Sequence, residues 1–230
     1  MTFYQWTLAA AIAVICGLDR LAFAQVMISR PIVAGPLTGI FLGEPLLGLQ
    51  VGMLTELLWL GRLPVGATIP PDDTQIAVGG TFLATFLTAA GSDPEPVNIA
   101  IGLLVAMPLA KSGQLFDHMA RRANDLVSQR AERFLQAGEF GYAEHHHLIG
   151  IGHFAVAHFC TFAVVAGIGS LLAAALAPIV APFLAPAGYW LLLLFPLIGT
   201  AMILRSIRIN HSLTLFGTSF VSALLILWLL

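Results

Sequence analysis

Carboxylates inside apolar sequence are the residues of this chain best suited to chemistry. Glu56 lies in the run Leu-Thr-Glu-Leu-Leu, and Asp72 and Asp73 follow a double proline. A carboxylate at membrane depth costs about 3 kcal/mol on insertion scales, so it usually faces a partner or a water-filled cavity. Glu56 is therefore predicted to be functional. Asp73, which precedes Thr-Gln-Ile, is equally well placed to be the N-cap of the next helix.

Polar side chains suited to a polyhydroxylated ligand accompany these acids. Carboxylates, amides and hydroxyls together accept and donate hydrogen bonds to several sugar hydroxyls at once. We predict a substrate site in one short region, formed by Glu56, Asp72, Asp73, Thr68 and Gln75. An ion- or proton-coupled carrier would also require intramembrane carboxylates, so the residues alone leave that alternative open.

Composition indicates which solvent surrounds the elements that position this site. Hydrophobic residues make up 58% of the 230 residues and charged residues 10%, whereas an ordinary soluble domain has about 25% charged residues. Apolar stretches at 148–176, 178–204 and 212–230 are long enough to cross a bilayer. They are separated by Pro178, Pro182 and Pro186 and by the polar group 205–211. The sequence predicts an all-α, polytopic transmembrane protein. Its net charge of −2 gives no reason to expect nucleic acid as a partner.

Charge divides the single membrane domain into an N-terminal half, 1–110, a polar segment, 111–147, and a C-terminal half, 148–230. The polar segment is rich in arginine, which predicts that it faces the cytoplasm. Its apolar residues recur at roughly helical spacing. This pattern fits an amphipathic helix at the membrane surface and fits a solvated helical hairpin equally well.

The segment 30–75 is apolar but crowded with glycine and proline. Glycines recur every four residues, which predicts close packing of backbones in lipid, at Gly35, Gly39, Gly43, Gly48 and Gly52. Prolines interrupt any continuous helix there, at Pro45, Pro64, Pro70 and Pro71. Broken or re-entrant helices at membrane depth line cavities in many transporters, so this segment is predicted to contain the substrate site.

The remaining reactive side chains do not form a recognisable catalytic or metal site. Phosphate-loop, nucleophile-elbow and zinc-protease motifs are missing from the sequence. The histidines at 145–147, 153 and 158 lie where a membrane segment begins, and we predict structural or interfacial roles for them. We therefore expect no catalytic residue, no metal and no cofactor on this chain.

One stretch resembles a known family. From Arg30 to Asp72, the sequence is similar to the membrane subunit IIC of mannose-type (mannose/fructose/sorbose) sugar phosphotransferase systems, in unbroken register over about 43 residues. The resemblance rests on an Arg-Pro pair, a glycine followed by an acid, spaced glycines and a terminal Pro-Asp, which are Arg30, Pro31, Gly39, Gly43, Glu44, Gly48, Gly52, Glu56, Leu60, Gly61, Gly66, Ala67, Pro71 and Asp72.

The resemblance implies a multi-pass protein of the bacterial inner membrane that shares a hexose pathway with a second membrane subunit, IID. It implies that cytoplasmic IIB phosphorylates the emerging sugar, with phosphate supplied through IIA. A trimer of IIC/IID pairs is the implied assembly, and the implied sugar site contains Glu56 and Asp72. Besides the stand-alone carrier, a third alternative is a scaffold that recruits soluble partners without transport.

Overall fold

The chain folds into helices throughout the part that its structure, a computed structural model, describes: residues 1–59, 71–91, 95–206 and 212–229. This confirms the all-α prediction. The α-helices are α1 Phe3–Leu21, α2 Pro31–Leu42, α3 Pro45–Trp59, α4 Asp73–Ala89, α5 Glu95–Leu109, α6 Ser112–Gln136, α7 Phe140–Ala163, α8 Gly169–Leu184, α9 Gly188–Ser206 and α10 Ser212–Leu229.

The α2–α3 pair forms a hairpin whose two backbones touch. Pro31 occupies the first turn of α2, and Gly43 ends that helix with a left-handed φ of 89°. A methyl group on Gly35 would lie 2.5 Å from the Gly48 carbonyl oxygen, and one on Gly48 would lie 2.5 Å from the Gly35 carbonyl oxygen. The predicted close packing is confirmed for Gly35, Gly39, Gly48 and Gly52, whereas Gly43 ends the helix and would meet nothing within 4 Å. With 12 and 15 residues, these helices reach about 18 and 22 Å, less than the ~30 Å hydrocarbon core.

Helix α4 is buried along almost its whole length and organises the core. It packs against α5, where Gly102 lies close to the backbone of Gly80 and Ala84. Phe82 of α4 meets Trp6 of α1 at 4.5 Å and Phe162 of α7 at 5.6 Å between ring centroids, both edge to face. These contacts fix the middle of α4 beside α1 and α7.

Helices α6 and α7 form a long antiparallel hairpin. Asn124 of α6 donates to the Gly150 carbonyl of α7 at 3.1 Å, and the Arg121 guanidinium lies 5.7 Å from the Phe154 ring centroid. Helix α7 continues through a π-helical segment, Val164–Ile168, into α8. These 24, 5 and 16 residues measure about 67 Å along the helix path. Because the hydrocarbon core is only ~30 Å thick, part of this path must lie outside it.

The break after α8 falls at the last of the three prolines predicted to separate two spans. Pro178 and Pro182 both lie inside α8, and the helix ends at the 3₁₀ turn Ala185–Ala187, which contains Pro186. A proline inside a helix removes one hydrogen bond, which the surrounding helices can tolerate. Among the described residues, two continuous helical runs, 95–136 and 145–187, are long and apolar enough to cross a membrane.

Candidate functional site

The acidic pair lies at the N-terminus of α4. Asp72 is the N-cap, and its Oδ1 accepts a hydrogen bond from the Gln75 backbone N–H at 3.1 Å. Asp73 lies in the first helical turn. The prediction that Asp73 is the cap is therefore wrong by one residue, because the helix starts at Asp73 itself. Both carboxylates benefit from the positive end of the helix dipole.

Arg20, near the end of α1, binds both carboxylates of the pair. Its Nη1 donates to Asp72 Oδ1 at 3.2 Å, to Asp73 Oδ1 and to Thr74 Oγ1 at 3.3 Å. Its side chain is 22% exposed, against 12% for Asp72 and 20% for Asp73. With so little solvent to screen the charges, removing one partner would leave an uncompensated charge and cost more than breaking a surface salt bridge.

His158 of α7 approaches Asp72 from the other side. Its Nδ1 lies 3.5 Å from Asp72 Oδ2, and the residue is 4% exposed. The ring rests against Gly17 of α1, where a methyl group would collide with it. Its Nε2 is buried and has no hydrogen-bond partner among the residues that the structure describes. Glycine at position 17 is thus what allows this histidine to reach the acid.

Asp117 brings helix α6 into the same group. Its Oδ2 accepts from Arg121 Nε at 2.7 Å, while its Oδ1 is buried and has no partner within the described part of the chain. One turn earlier, Gly113 faces both Thr161 and Asp72, and the Asp117 charge acts on the Arg20 guanidinium. We call the set Arg20, Asp72, Asp73, Asp117 and His158 the Asp72 cluster.

Glu56 belongs to a separate ion pair. Its Oε1 lies 3.3 Å from Arg30 Nη1, and its Oε2 accepts from the Ile32 backbone N–H at 3.4 Å. The carboxylate of α3 thereby closes the open end of the hairpin onto the first turn of α2. Thr74 connects this pair to the Asp72 cluster, because its hydroxyl donates at 2.7 Å to the carbonyl of Ser29.

The loop between α1 and α2 is held by Asp19. This carboxylate, on a residue only 3% exposed, accepts from the Val26 N–H at 2.7 Å and from the Ser29 N–H at 3.0 Å. Three residues of the loop have positive φ without being glycine: Ala24, Gln25 and Met27. Such conformations cost of order 1 kcal/mol or more each. The buried acid therefore stabilises a strained loop beside Arg20.

The structure brings together some predicted site residues and separates others. Asp72 and Asp73 share one guanidinium, and Gln75 follows on the same helix. Gln75 is fully buried and donates from Nε2 to the Ala13 carbonyl at 3.0 Å, while its Oε1 has no partner in the described part. Glu56 takes part in the other ion pair, and Thr68 lies outside the described residues.

Sequence reasoning missed Arg20 and His158. Arg20 follows the first apolar segment and was not among the predicted site residues, since nothing local to it indicates a carboxylate partner. His158 lies within the apolar stretch 148–176, and a polar residue there is a functional signal by default. Its position after the histidines at 145–147 and 153 obscured that signal.

Comparison with known proteins identifies relatives over most of the chain. The family model described as the sorbose-specific IIC component of the phosphotransferase system matches residues 3–228. A solved chain of the mannose transporter ManYZ, in complex with microcin E492, superposes with a TM-score of 0.60 at 25% identity, covering 97% of this chain and 87% of that one. A structure described as a membrane protein gives 0.64 at 24% identity, with the same coverage.

Curated relatives match shorter parts. The mannose-specific EIIC component of Escherichia coli strain K12 is 28% identical over 138 residues, 60% of this chain and 48% of that protein. The fructose permease IIC component of Bacillus subtilis strain 168 is 32% identical over 119 residues, 52% of this chain and 41% of that protein. In these alignments the chain spans about half the length of the relatives or less.

Proposed function

Because the chain belongs to the family of sorbose-specific IIC components of the phosphotransferase system, we propose that it is a membrane translocation subunit of a mannose-type sugar phosphotransferase system. In this role it forms a sugar pathway together with a IID subunit. The likeness of its fold to a chain of the mannose transporter ManYZ supports the proposal. The membrane concerned is the inner membrane of a bacterium, with segment 111–147 on the cytoplasmic side.

The observation that carries the proposal is the acidic pair at the start of α4. Asp72 and Asp73 are largely buried, share Arg20, and stand where the chain emerges from its Gly/Pro-rich segment. A carboxylate pair with a neighbouring guanidinium can accept and donate hydrogen bonds to adjacent hydroxyls of a hexose. Gln75, Thr68 and Glu56 complete the proposed sugar site, with Gln75 offering an unpartnered amide oxygen.

The proposed chemistry on the sugar is performed by other subunits. Cytoplasmic IIB transfers phosphate to the sugar as it emerges, IIA recharges IIB, and this chain supplies the path without a catalytic residue of its own. A trimer of IIC/IID pairs is the proposed assembly. Movement of the short α2–α3 hairpin relative to the remaining helices would expose the site to each face in turn.

The test is uptake of radiolabelled mannose into vesicles that contain this chain and its IID, with IIB and a phosphoryl donor present or omitted. We expect label to accumulate as sugar phosphate only when both IIB and the donor are present. Uptake of unmodified sugar that follows an imposed proton gradient would replace the proposal by a stand-alone carrier. No uptake under either condition would favour the scaffold.

A further inference from the structure

The Asp72 cluster carries unbalanced charge in a nearly closed space. Asp72, Asp73 and Asp117 supply three carboxylates. Arg20 supplies one guanidinium, and Arg121, paired to Asp117, supplies a second. One negative charge therefore remains when His158 is neutral. Because an uncompensated charge shielded from water is unfavourable by several kcal/mol, the arrangement favours a state that holds one additional proton.

His158 is the group placed to hold that proton. Histidine is the side chain whose ordinary change of charge falls between pH 5 and pH 8. One ring nitrogen faces Asp72 at 3.5 Å, and the other is buried without a partner among the described residues. The ring is therefore not fixed in one neutral tautomer by a second acceptor, and protonation adds a charge-assisted contact to Asp72.

The charged groups of the cluster lie on the helices packed against α7, and Asp72 of α4 contacts the ring directly. Asp73 and Arg20 are joined to Asp72, and α6 contributes Asp117, paired with Arg121. On α7 itself, His153 is directed to Asn124, with 2.7 Å between Nδ1 and Oδ1. Asp19 of α1 is committed to the amides of its loop. Acids thus outnumber bases around His158.

We propose that the Asp72 cluster is a binding site for one exchangeable proton, carried by His158 and stabilised by Asp72 and Asp117. With the proton bound, the cluster and Arg121 together carry no net charge, and the imidazolium donates to Asp72. Without the proton, the Asp72 carboxylate is stabilised by Arg20 and by the backbone N–H of Gln75. A proton needs no cavity, so the close packing of the ring against Gly17 does not prevent its binding. The inference does not depend on which solute the protein transports.

The experiment observes the histidine ring directly. The full chain, labelled with ¹⁵N-histidine and placed in lipid nanodiscs, is followed by solid-state NMR from pH 5 to pH 8.5. His158 signals are assigned by their loss in His158→Gln. We expect the ring to convert reversibly between neutral and doubly protonated forms. In Asp72→Asn its proton affinity should fall about tenfold or more, since a counter-charge within 4–6 Å is removed.

Two further variants accompany Asp72→Asn: a control that removes an equal charge elsewhere, and a substitute in case Asp72→Asn does not fold. Asparagine is as good an N-cap as aspartate, so Asp72→Asn retains the start of α4. Asp125→Asn removes an equal charge from the exposed face of α6 and should leave His158 unchanged. If Asp72→Asn does not fold, Asp117→Asn, which touches no cap, should lower the proton affinity in the same direction. A ring that stays neutral at pH 5, or that titrates alike in wild type and both cluster variants, would overturn the proposal.

Discussion

The α2–α3 hairpin and the Asp72 cluster are held together by opposite means. In the hairpin, glycines within 18 residues of one another bring two backbones into contact, and the Arg30–Glu56 ion pair lies only at the open end. In the cluster, four helices contribute charged or titratable side chains from positions 20 to 158. Added side-chain volume should therefore destabilise the hairpin, whereas removal of a charge should destabilise the cluster.

Loss of the Arg20 charge is expected to have the largest effect on stability. Arg20→Gln leaves Asp72 and Asp73 next to each other without their shared cation, which should destabilise the fold by about 3 kcal/mol. Thermal unfolding in nanodiscs measures the change. Adding Asp73→Asn should restore part of the loss. Arg130→Gln, on the exposed face of α6, is the matched control. If that control destabilises the protein equally, net charge rather than pairing is responsible.

A methyl group added in the hairpin should destabilise the protein, though by less than loss of the Arg20 charge. The same change at an open position of α7 should not destabilise it. Gly48→Ala places a carbon against the Gly35 carbonyl oxygen and should destabilise the protein by about 1–3 kcal/mol. Gly152→Ala, in α7, meets nothing within 4 Å and should be neutral or stabilising by up to about 1 kcal/mol. Equal unfolding midpoints for the two variants would contradict the role of backbone contact.

The Glu56 ion pair should matter least for stability. Arg30 is 53% exposed at the side chain, so Glu56→Gln should change the free energy of unfolding by less than about 1 kcal/mol. Its amide oxygen can still accept from the Ile32 N–H. If Glu56 also contacts sugar, the same variant weakens sugar binding while the IIC/IID complex forms normally. Loss of the complex would assign Glu56 a structural role instead.

The structural features that the sequence predicted correctly are those that depend on a local pattern of residues. The glycine spacing within 30–75 indicated close helix contact, and Pro45 marks the start of α3, because both effects act over a few residues. Prolines were less decisive in the C-terminal half. Of the three predicted to separate two spans, Pro178 and Pro182 lie within α8, and the break falls at 185–187, which contains Pro186.

The cluster could be predicted only in part because its members are far apart in sequence. Asp72 and Asp73 attracted attention as acids in apolar surroundings. Nothing local to Arg20 or His158 reveals that α1 and α7 pack on α4, since that packing depends on tertiary contacts such as those of Trp6, Phe82 and Phe162. Membership of an ion-paired site is a tertiary property, whereas a helix cap or a glycine contact within a hairpin is nearly a local one.

The most direct test of the account is the effect of Asp72→Asn on phosphorylation-dependent uptake. Vesicles containing the variant with IID, supplied with IIB and a phosphoryl donor, should accumulate sugar phosphate at least about tenfold more slowly than wild type, because one lost charged hydrogen bond is worth about 1.5–3 kcal/mol. The amount of IIC/IID complex should be unchanged, and Asp125→Asn should transport normally. Wild-type uptake by Asp72→Asn would contradict the assignment of the acidic pair to the sugar path.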